Sequence, residues 1–369
     1  MSAAEDQGQK IEQDQISLTS FKDKARFHYG RGQGHLLKYA WNRFRWHYYP
    51  KHNIIPDFPL HVDLELSSLC NMRCPMCYTT TDLFKERVNR TMMSFDLFKK
   101  LVDEGVRNNL YSIRMSLRGE PLAHPKFMAM LRYAKKAGIP EVSSLTNALK
   151  LAEPMFEEMV DLGLDWLTIS CDGWGETYDK IRHPAKWNDF YAKVKAFSEI
   201  KKRRGSLKPV LKIQSIWPAI EKDPAHFFGL FAPYVDEVAS NPLIDFLRED
   251  SDIPYIPNFT CAYLWQRMSV GADGTILLCQ SDEMEEMTLG DATKDSLRDV
   301  WHGKKLAEVR RLHLEHKGTS IKPCSACTYP RQTEVTSHVK IGDRVIPIEQ
   351  YKARSQKIGP KAKPVETAP

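Results

Sequence analysis

From about residue 59 the apolar and polar positions of this chain change period in a regular way. Residues 61–66 alternate, with Val62, Leu64 and Leu66 on one side, which predicts a strand. Residues 95–107 follow the helical period, with Ser94 placed to cap the N-terminus and Met93 to staple onto Phe98. The pairing then repeats. Further strands are predicted at 112–117, 141–145, 166–170, 212–216 and 237–240. Helices are predicted from Pro125 to Gly138, over 153–162 with Gly163 closing it, over 187–202 and over 225–231. Strand–helix alternation predicts parallel strands joined by crossover helices, an α/β fold. Six such units are too few to close an eight-fold barrel, so the pattern predicts an open, partial (β/α)6 barrel of the TIM type.

The flanks read differently. Residues 1–25 are polar and predict a flexible lead. Residues 26–52 are basic and aromatic (Arg26, Tyr29, Trp41, Arg43, Arg45, Trp46, Tyr48, Tyr49), a composition that suits nucleic acid or a lipid surface. It suits equally an extension packed on the main domain, which is the preferred reading. Residues 241–260 carry Pro242, Pro254 and Pro257 without a period and read as a linker. Beyond them come a hairpin about Asp273-Gly274, helical stretches at 296–301 and 304–316, and four cysteines. From about 331 the chain reads as weakly ordered. The expected organisation is an extension over 1–58, the barrel over 59–245, a small cysteine-bearing domain over 246–335 and a tail over 336–369.

At 369 residues the chain can bury a large core. No apolar run reaches the roughly 18 residues of a membrane span. The N-terminus is too polar for a secretory signal, so a cytoplasmic location is expected. A net charge of +6, concentrated at 22–51 and 340–361, is too mild to demand a polyanionic partner, and nucleic acid is not expected as one. Eight cysteines change the picture more. In a reducing compartment, clustered cysteines point to metal sites or catalysis rather than disulfides.

Cys70-Asn-Met-Arg-Cys74-Pro-Met-Cys77 follows the first strand directly, three thiols spaced C-x3-C-x2-C with no fourth Cys or His nearby. A structural zinc site wants four ligands. Three thiolates on one loop instead suit a 4Fe–4S cluster with one iron left open for chemistry. This loop resembles the signature of the radical S-adenosylmethionine (radical SAM) superfamily. The resemblance implies that the open iron chelates S-adenosylmethionine and that one electron cleaves it to a 5′-deoxyadenosyl radical, which takes hydrogen from a substrate.

In a barrel of this type chemistry sits at the C-terminal ends of the strands. Those ends carry Arg118-Gly119-Glu120, Thr146-Asn147, Ser170-Cys171-Asp172-Gly173, Gln214-Ser215 and Asn241. Arg118-Gly119-Glu120 is similar to the family's Gly-Gly-Glu element, which binds the cofactor's methionine amino group, with Arg in place of the first Gly. Thr146-Asn147 and Ser170-Cys171-Asp172 resemble segments that contact the cofactor's carboxylate and ribose. Arg182 resembles a position that pairs with that carboxylate, and Met76 one that lies near the adenine. The plainer readings are a tight turn at Gly119 and at Asp172-Gly173, a surface charge at Arg182 and a buried apolar thiol at Cys171.

Cys261, twelve residues, Gly274, four residues and Cys279 resemble the opening of a SPASM iron–sulfur domain, and Cys324-x2-Cys327 closes it. The further cysteines of the full pattern are absent. The resemblance therefore implies the shortened, twitch-like version with one auxiliary 4Fe–4S cluster on Cys261, Cys279, Cys324 and Cys327, similar in spacing to radical dehydrogenases of aminocyclitols. Four thiolates also suit a zinc site, which would make the chain a zinc-stabilised binding protein without turnover. The expected function is radical hydrogen abstraction from a sugar or aminocyclitol, in oxidation or epimerisation, or else modification of a ribosomal peptide. A flavodoxin or ferredoxin is the expected electron donor. The sequence names no general base or other catalytic side chain.

Overall fold

The computed structural model describes residues 16–243 and 253–352. The chain opens with β1 (Ile16–Ser17), α1 (Phe21–Gly32) and α2 (Leu36–Lys51). Five strand–helix units and a sixth strand follow: β2 (His61–Leu64) with α3 (Asp82–Arg87) and α4 (Phe95–Arg107), β3 (Ser112–Arg114) with α5 (Phe127–Ala137), β4 (Glu141–Thr146) with α6 (Glu153–Asp161), β5 (Trp166–Ser170) with α7 (Gly175–Ile181) and α8 (Trp187–Arg204), β6 (Val210–Ile216) with α9 (Pro224–Phe231), and then β7 (Glu237–Asn241). The remainder holds β8 (Arg267–Val270), β9 (Thr275–Leu277), β10 (Thr288–Asp291), α10 (Leu297–Trp301), α11 (Lys304–Leu314) and the hairpin β11 (Thr333–Ile341) with β12 (Arg344–Tyr351).

One ten-stranded sheet runs β1-β7-β6-β5-β4-β3-β2-β8-β9-β10. Strands β2 to β7 are parallel, each beside its neighbour in sequence, as the alternation predicts. Val62 pairs with Ile113 and Ile113 with Val142, an apolar row facing the crossover helices. Phe98, Phe127, Phe156, Phe197 and Phe227 fill the layer beneath it and are fully buried, each contributing about 1.5–3 kcal/mol of transfer free energy. Ser94 caps α4 as predicted, its hydroxyl oxygen accepting the Leu97 N–H at 3.1 Å. The barrel is open, and β8 closes one flank of β2 in parallel register, His61 to Arg267 through Leu64 to Val270. The cysteine-bearing segment therefore extends the barrel's own sheet.

Several expectations change. Residues 16–25 are not a loose lead: β1 pairs antiparallel with β7, and the Leu18 N–H donates to Val238 O at 2.9 Å. The basic aromatic segment packs against the barrel, as preferred. Arg31 forks onto the buried Glu141 carboxylate at 2.9–3.2 Å, and Gln266 donates to Trp46 O. Its outer side leaves Leu37, Trp41, Phe44 and Tyr48 exposed. Residues 333–351 form a ribbon rather than a weakly ordered stretch. Most of β11 faces solvent, so apolar alternation is lost, and a backbone ladder supplies the order. Ile341 and Ile348 tie the ribbon to the core. Of the expected linker, 244–252 lie outside the described residues, as do 1–15 and 353–369 of the expected lead and tail. Ile256 pairs with Pro330 at 2.8 Å. Among the described residues no helix is long and apolar enough to cross a membrane.

Candidate functional site

Strand β2 ends in the loop that carries Cys70, Cys74 and Cys77, none of them in a disulfide. Cys70 is exposed, Cys74 buried and Cys77 half-buried. A tight turn joins the last two, the Cys77 N–H donating to Cys74 O at 3.0 Å. Burial pushes the Cys74 thiol up to about 12; Cys70 is exposed as a residue, but protein atoms crowding its thiol on one side strip enough water to push it up to about 11. A metal bound here would have to take these thiols as thiolates, releasing their protons.

The loop after β3 meets this one at close quarters. A Cβ on Gly119 would stand 2.3 Å from Ser67 O and 2.6 Å from Leu69 O, and the Glu120 N–H donates to Leu69 O at 2.9 Å. Glycine is required here because both obstructions are backbone. Gly119→Ala is expected to cost at least about 1–3 kcal/mol and to weaken S-adenosylmethionine binding, read by thermal unfolding and calorimetry. An unchanged affinity would show that the two loops are not coupled.

Glu120 is buried and organises the next strand end. Its carboxylate accepts from Thr146 Oγ1 at 2.6 Å, Asn147 N at 2.8 Å and Leu122 N at 3.0 Å. Burial pushes its carboxyl above the usual range, against those three hydrogen bonds. The Asn147 amide in turn donates to Asn71 Oδ1 at 2.8 Å and lies 3.8 Å from Cys70 Sγ. Gly119, Glu120, Thr146 and Asn147 thus form one connected set with the first cysteine.

Asp172 and Arg182 form the other side. Arg182 reaches Asp172 Oδ2 at 2.7 Å, and Ile216 N donates to Asp172 Oδ1 at 3.0 Å. Burial opposes the Arg182 charge, but Asp172 beside it and the thiol of Cys74 outweigh burial and raise its pKa. Arg182 is therefore no surface charge. Its Nε is buried without a hydrogen-bond partner in the protein, the mark of a site shaped for a further acceptor. Ser170 is half-buried at the end of β5 opposite Gln214, and Met76 is buried on the cysteine loop. Asp172-Gly173 is also a turn, Gly173 standing at φ 78°. Cys171 is fully buried and its thiol pushed well up by burial, a packing residue as read from the sequence.

Arg118 departs from the expected element with its side chain. It turns away from the cysteine loop, forks onto Glu65 at 2.7 and 2.5 Å and reaches Glu285 at 2.8 Å. Sequence reasoning missed Glu65, Glu285 and Asn71. For Glu65 a signal existed: His61, Asp63 and Glu65 alternate with Val62, Leu64 and Leu66, a charged face on a central strand.

The second cysteine set surrounds the start of the extra strands. The Cys279 thiol feels Cys327, Cys324 and Cys261, and burial drives it well above the ordinary range. Burial likewise pushes Cys261 up to about 12. The Cys261 N–H donates to His313 Nδ1 at 3.4 Å, and the Tyr329 N–H to Cys327 Sγ at 3.4 Å. These contacts supply an environment suited to thiolate ligands. Among the described residues, no three His, Cys, Asp or Glu side chains are set to grip a single ion.

Comparison with known proteins follows the same division. The model of the radical SAM superfamily matches residues 64–211, and that of an iron–sulfur cluster-binding domain, SPASM, matches 261–328. A tungsten-containing aldehyde ferredoxin oxidoreductase cofactor-modifying protein of Pyrococcus furiosus is 36% identical over 113 residues, 30% of each chain. A PqqA peptide cyclase of Rhodopseudomonas palustris is 29% identical over 115 residues, 31% of this chain and 29% of that one. These alignments span about a third of either relative. Among solved structures, BtrN in complex with AdoMet and 2-DOIA superposes with TM-score 0.51 at 17% identity, covering 72% of this chain and 91% of that one. Streptococcus suis SuiB bound to precursor peptide SuiA gives TM-score 0.51 at 15% identity, covering 75% and 72%. These likenesses establish a shared fold.

Proposed function

This chain belongs to the radical SAM superfamily and carries a C-terminal SPASM domain, and from that premise we propose that it takes a hydrogen atom from a small polar substrate, a sugar or aminocyclitol, in an oxidation or epimerisation. The observation that carries the reading is the connected set Cys70–Asn147–Glu120 facing the Asp172–Arg182 pair. Cys70, Cys74 and Cys77 would hold the catalytic 4Fe–4S cluster, and Cys261, Cys279, Cys324 and Cys327 the auxiliary one. When bound, the first cluster supplies the electron that cleaves S-adenosylmethionine to the 5′-deoxyadenosyl radical. Because the SPASM match is an iron–sulfur domain, the zinc alternative is set aside.

Each side chain then has a task. Glu120, pinned by Thr146 and Asn147, accepts the cofactor's ammonium group. Arg182 donates to its carboxylate, and Asp172 holds the guanidinium in place for that bidentate contact. Ser170 and Asn147 border the ribose, and Met76 the adenine. A flavodoxin or ferredoxin supplies the electron.

A cavity of about 360 Å³ lies between the sheet and the α1–α2 segment, and its lining includes the polar residues Arg114, Thr168 and Gln214. Its size and polarity suit a small hydroxylated molecule. Peptide modification is the second reading, supported by the fold shared with peptide-bound SuiB.

The test is anaerobic reconstitution, with about eight irons expected per chain from two clusters. Reductant and cofactor should then yield 5′-deoxyadenosine, with deuterium carried into it from a labelled cyclitol. Protein that binds neither iron nor S-adenosylmethionine would overturn the proposal. Replacing Cys324 and Cys327 by serine is expected to spare 5′-deoxyadenosine formation and to depress product formation far more. Equal loss of both, in protein that retains its fold, would remove the auxiliary cluster from the oxidation step.

A further inference from the structure

The cavity between the sheet and the α1–α2 segment has an unequal charge balance. Two of its cations are matched one for one: Arg31 with Glu141 at 2.9 Å and Lys212 with Glu237 at 3.3 Å. Arg114 and Arg267 are not. They share the single carboxylate of Asp63, fully buried on β2, at 2.9 and 3.6 Å. That carboxylate also accepts from Ser269 Oγ at 3.2 Å and pairs with His61 at 3.0 Å. Burial lowers the pKa of His61 despite Asp63, so the histidine favours its neutral form and adds little positive charge. The inner cluster therefore carries two guanidiniums against one carboxylate.

Both guanidiniums then converge on one neutral acceptor. Gln280 Oε1 takes Arg114 at 2.9 Å and Arg267 at 2.5 Å, while the amide nitrogen of Gln280 donates to Tyr263 Oη at 3.0 Å. Arg267 lies between the rings of Trp46 and Tyr263, at 5.0 and 4.8 Å, which fixes the plane of its fork. Its Nε is buried without a hydrogen-bond partner. A preset pair of forks, an excess positive charge in a half-enclosed space and a neutral oxygen where an anion would bind more strongly together describe an anion site held by a surrogate.

We propose that Arg114 and Arg267 form an oxyanion subsite of the substrate chamber, in which a carboxylate or phosphate group of the substrate takes the place of the Gln280 amide oxygen. The substrate class is thereby narrowed to small polar molecules bearing one such group. The inference rests on the cavity being the substrate chamber. Gln280 follows Cys279 directly, so the anchored group would lie beside the segment that bears the auxiliary ligands.

The test is calorimetric titration of the iron-loaded full chain under nitrogen without reductant. S-adenosylmethionine is kept saturating so that Arg182 is occupied. Inorganic pyrophosphate and citrate serve as separate probes for the phosphate and carboxylate arms. At least one is expected to bind, more weakly as salt rises, and Arg267→Gln is expected to weaken it by about tenfold or more. Gln280→Glu places a carboxylate between the two forks from the chain itself. It should abolish probe binding with iron content and unfolding temperature at parental values, which covers the case in which Arg267→Gln does not fold. Arg203→Gln, on the exposed side of α8, should bind like the parent. Absence of binding by both probes, or parental binding by Gln280→Glu, would overturn the proposal. No cofactor cleavage is needed, so this result and the 5′-deoxyadenosine test fail independently.

Discussion

Exchange of Cys70, Cys74 and Cys77 together for alanine is expected to abolish 5′-deoxyadenosine formation while about half of the parental iron remains, bound by the second cysteine set. The loop can lose these thiols without collapse: Cys70 is exposed, Cys77 half-buried, and the turn between Cys74 and Cys77 is held by backbone. The chemistry cannot. With all three thiols gone the loop keeps no ligand for the cluster, and uncatalysed cleavage is slower by many orders of magnitude. Chromatographic detection of 5′-deoxyadenosine and iron analysis on the same sample decide the matter. Parental rates from the triple variant would remove these residues from the catalytic site.

Arg118→Met is expected to be the most destabilising single change at the junction of barrel and SPASM domain. The Arg118 side chain is 1% exposed and Glu65 is fully buried at 2.5 Å from it. Removal of the guanidinium strands that carboxylate, whose other contact is the Ala272 N–H at 3.0 Å, and frees Glu285 of its partner. Breaking a buried pair in this way costs about 3–5 kcal/mol. The thermal midpoint should fall by several degrees, and loss of iron from the second site should accompany unfolding. Adding Glu65→Leu should recover much of the loss, because replacing both buried partners by apolar groups is far less costly than removing one. A single variant as stable as the parent would show that Arg118 does not couple the two parts.

Much of this architecture can be read along the chain, for identifiable reasons. Each barrel strand is buried by its helices, so Val62, Ile113 and Val142 repeat at intervals that crossover helices impose. The strand-end residues could be placed together because parallel strands deliver all their C-terminal ends to one rim. What could not be read depends on contacts distant in sequence. Nothing local announces that β8 joins β2, because a four-residue strand carries no register partner in its own pattern. Arg118 stands in place of the first Gly of the Gly-Gly-Glu element, and its side-chain role appears only when Glu285, 167 residues away, is brought beside it. The ribbon at 333–351 escaped notice because a mostly wet strand has no buried face to mark it.

The parallel pairing of β8 with β2 has a consequence for the integrity of the molecule. A chain shortened after residue 243 would leave β2 as a bare margin, a row of amides and carbonyls without mates beside a strongly apolar layer. Such a margin recruits strands from other copies. The segment that houses the second set of cysteines therefore also guards the first from self-association, so neither part can be shed without a solubility penalty.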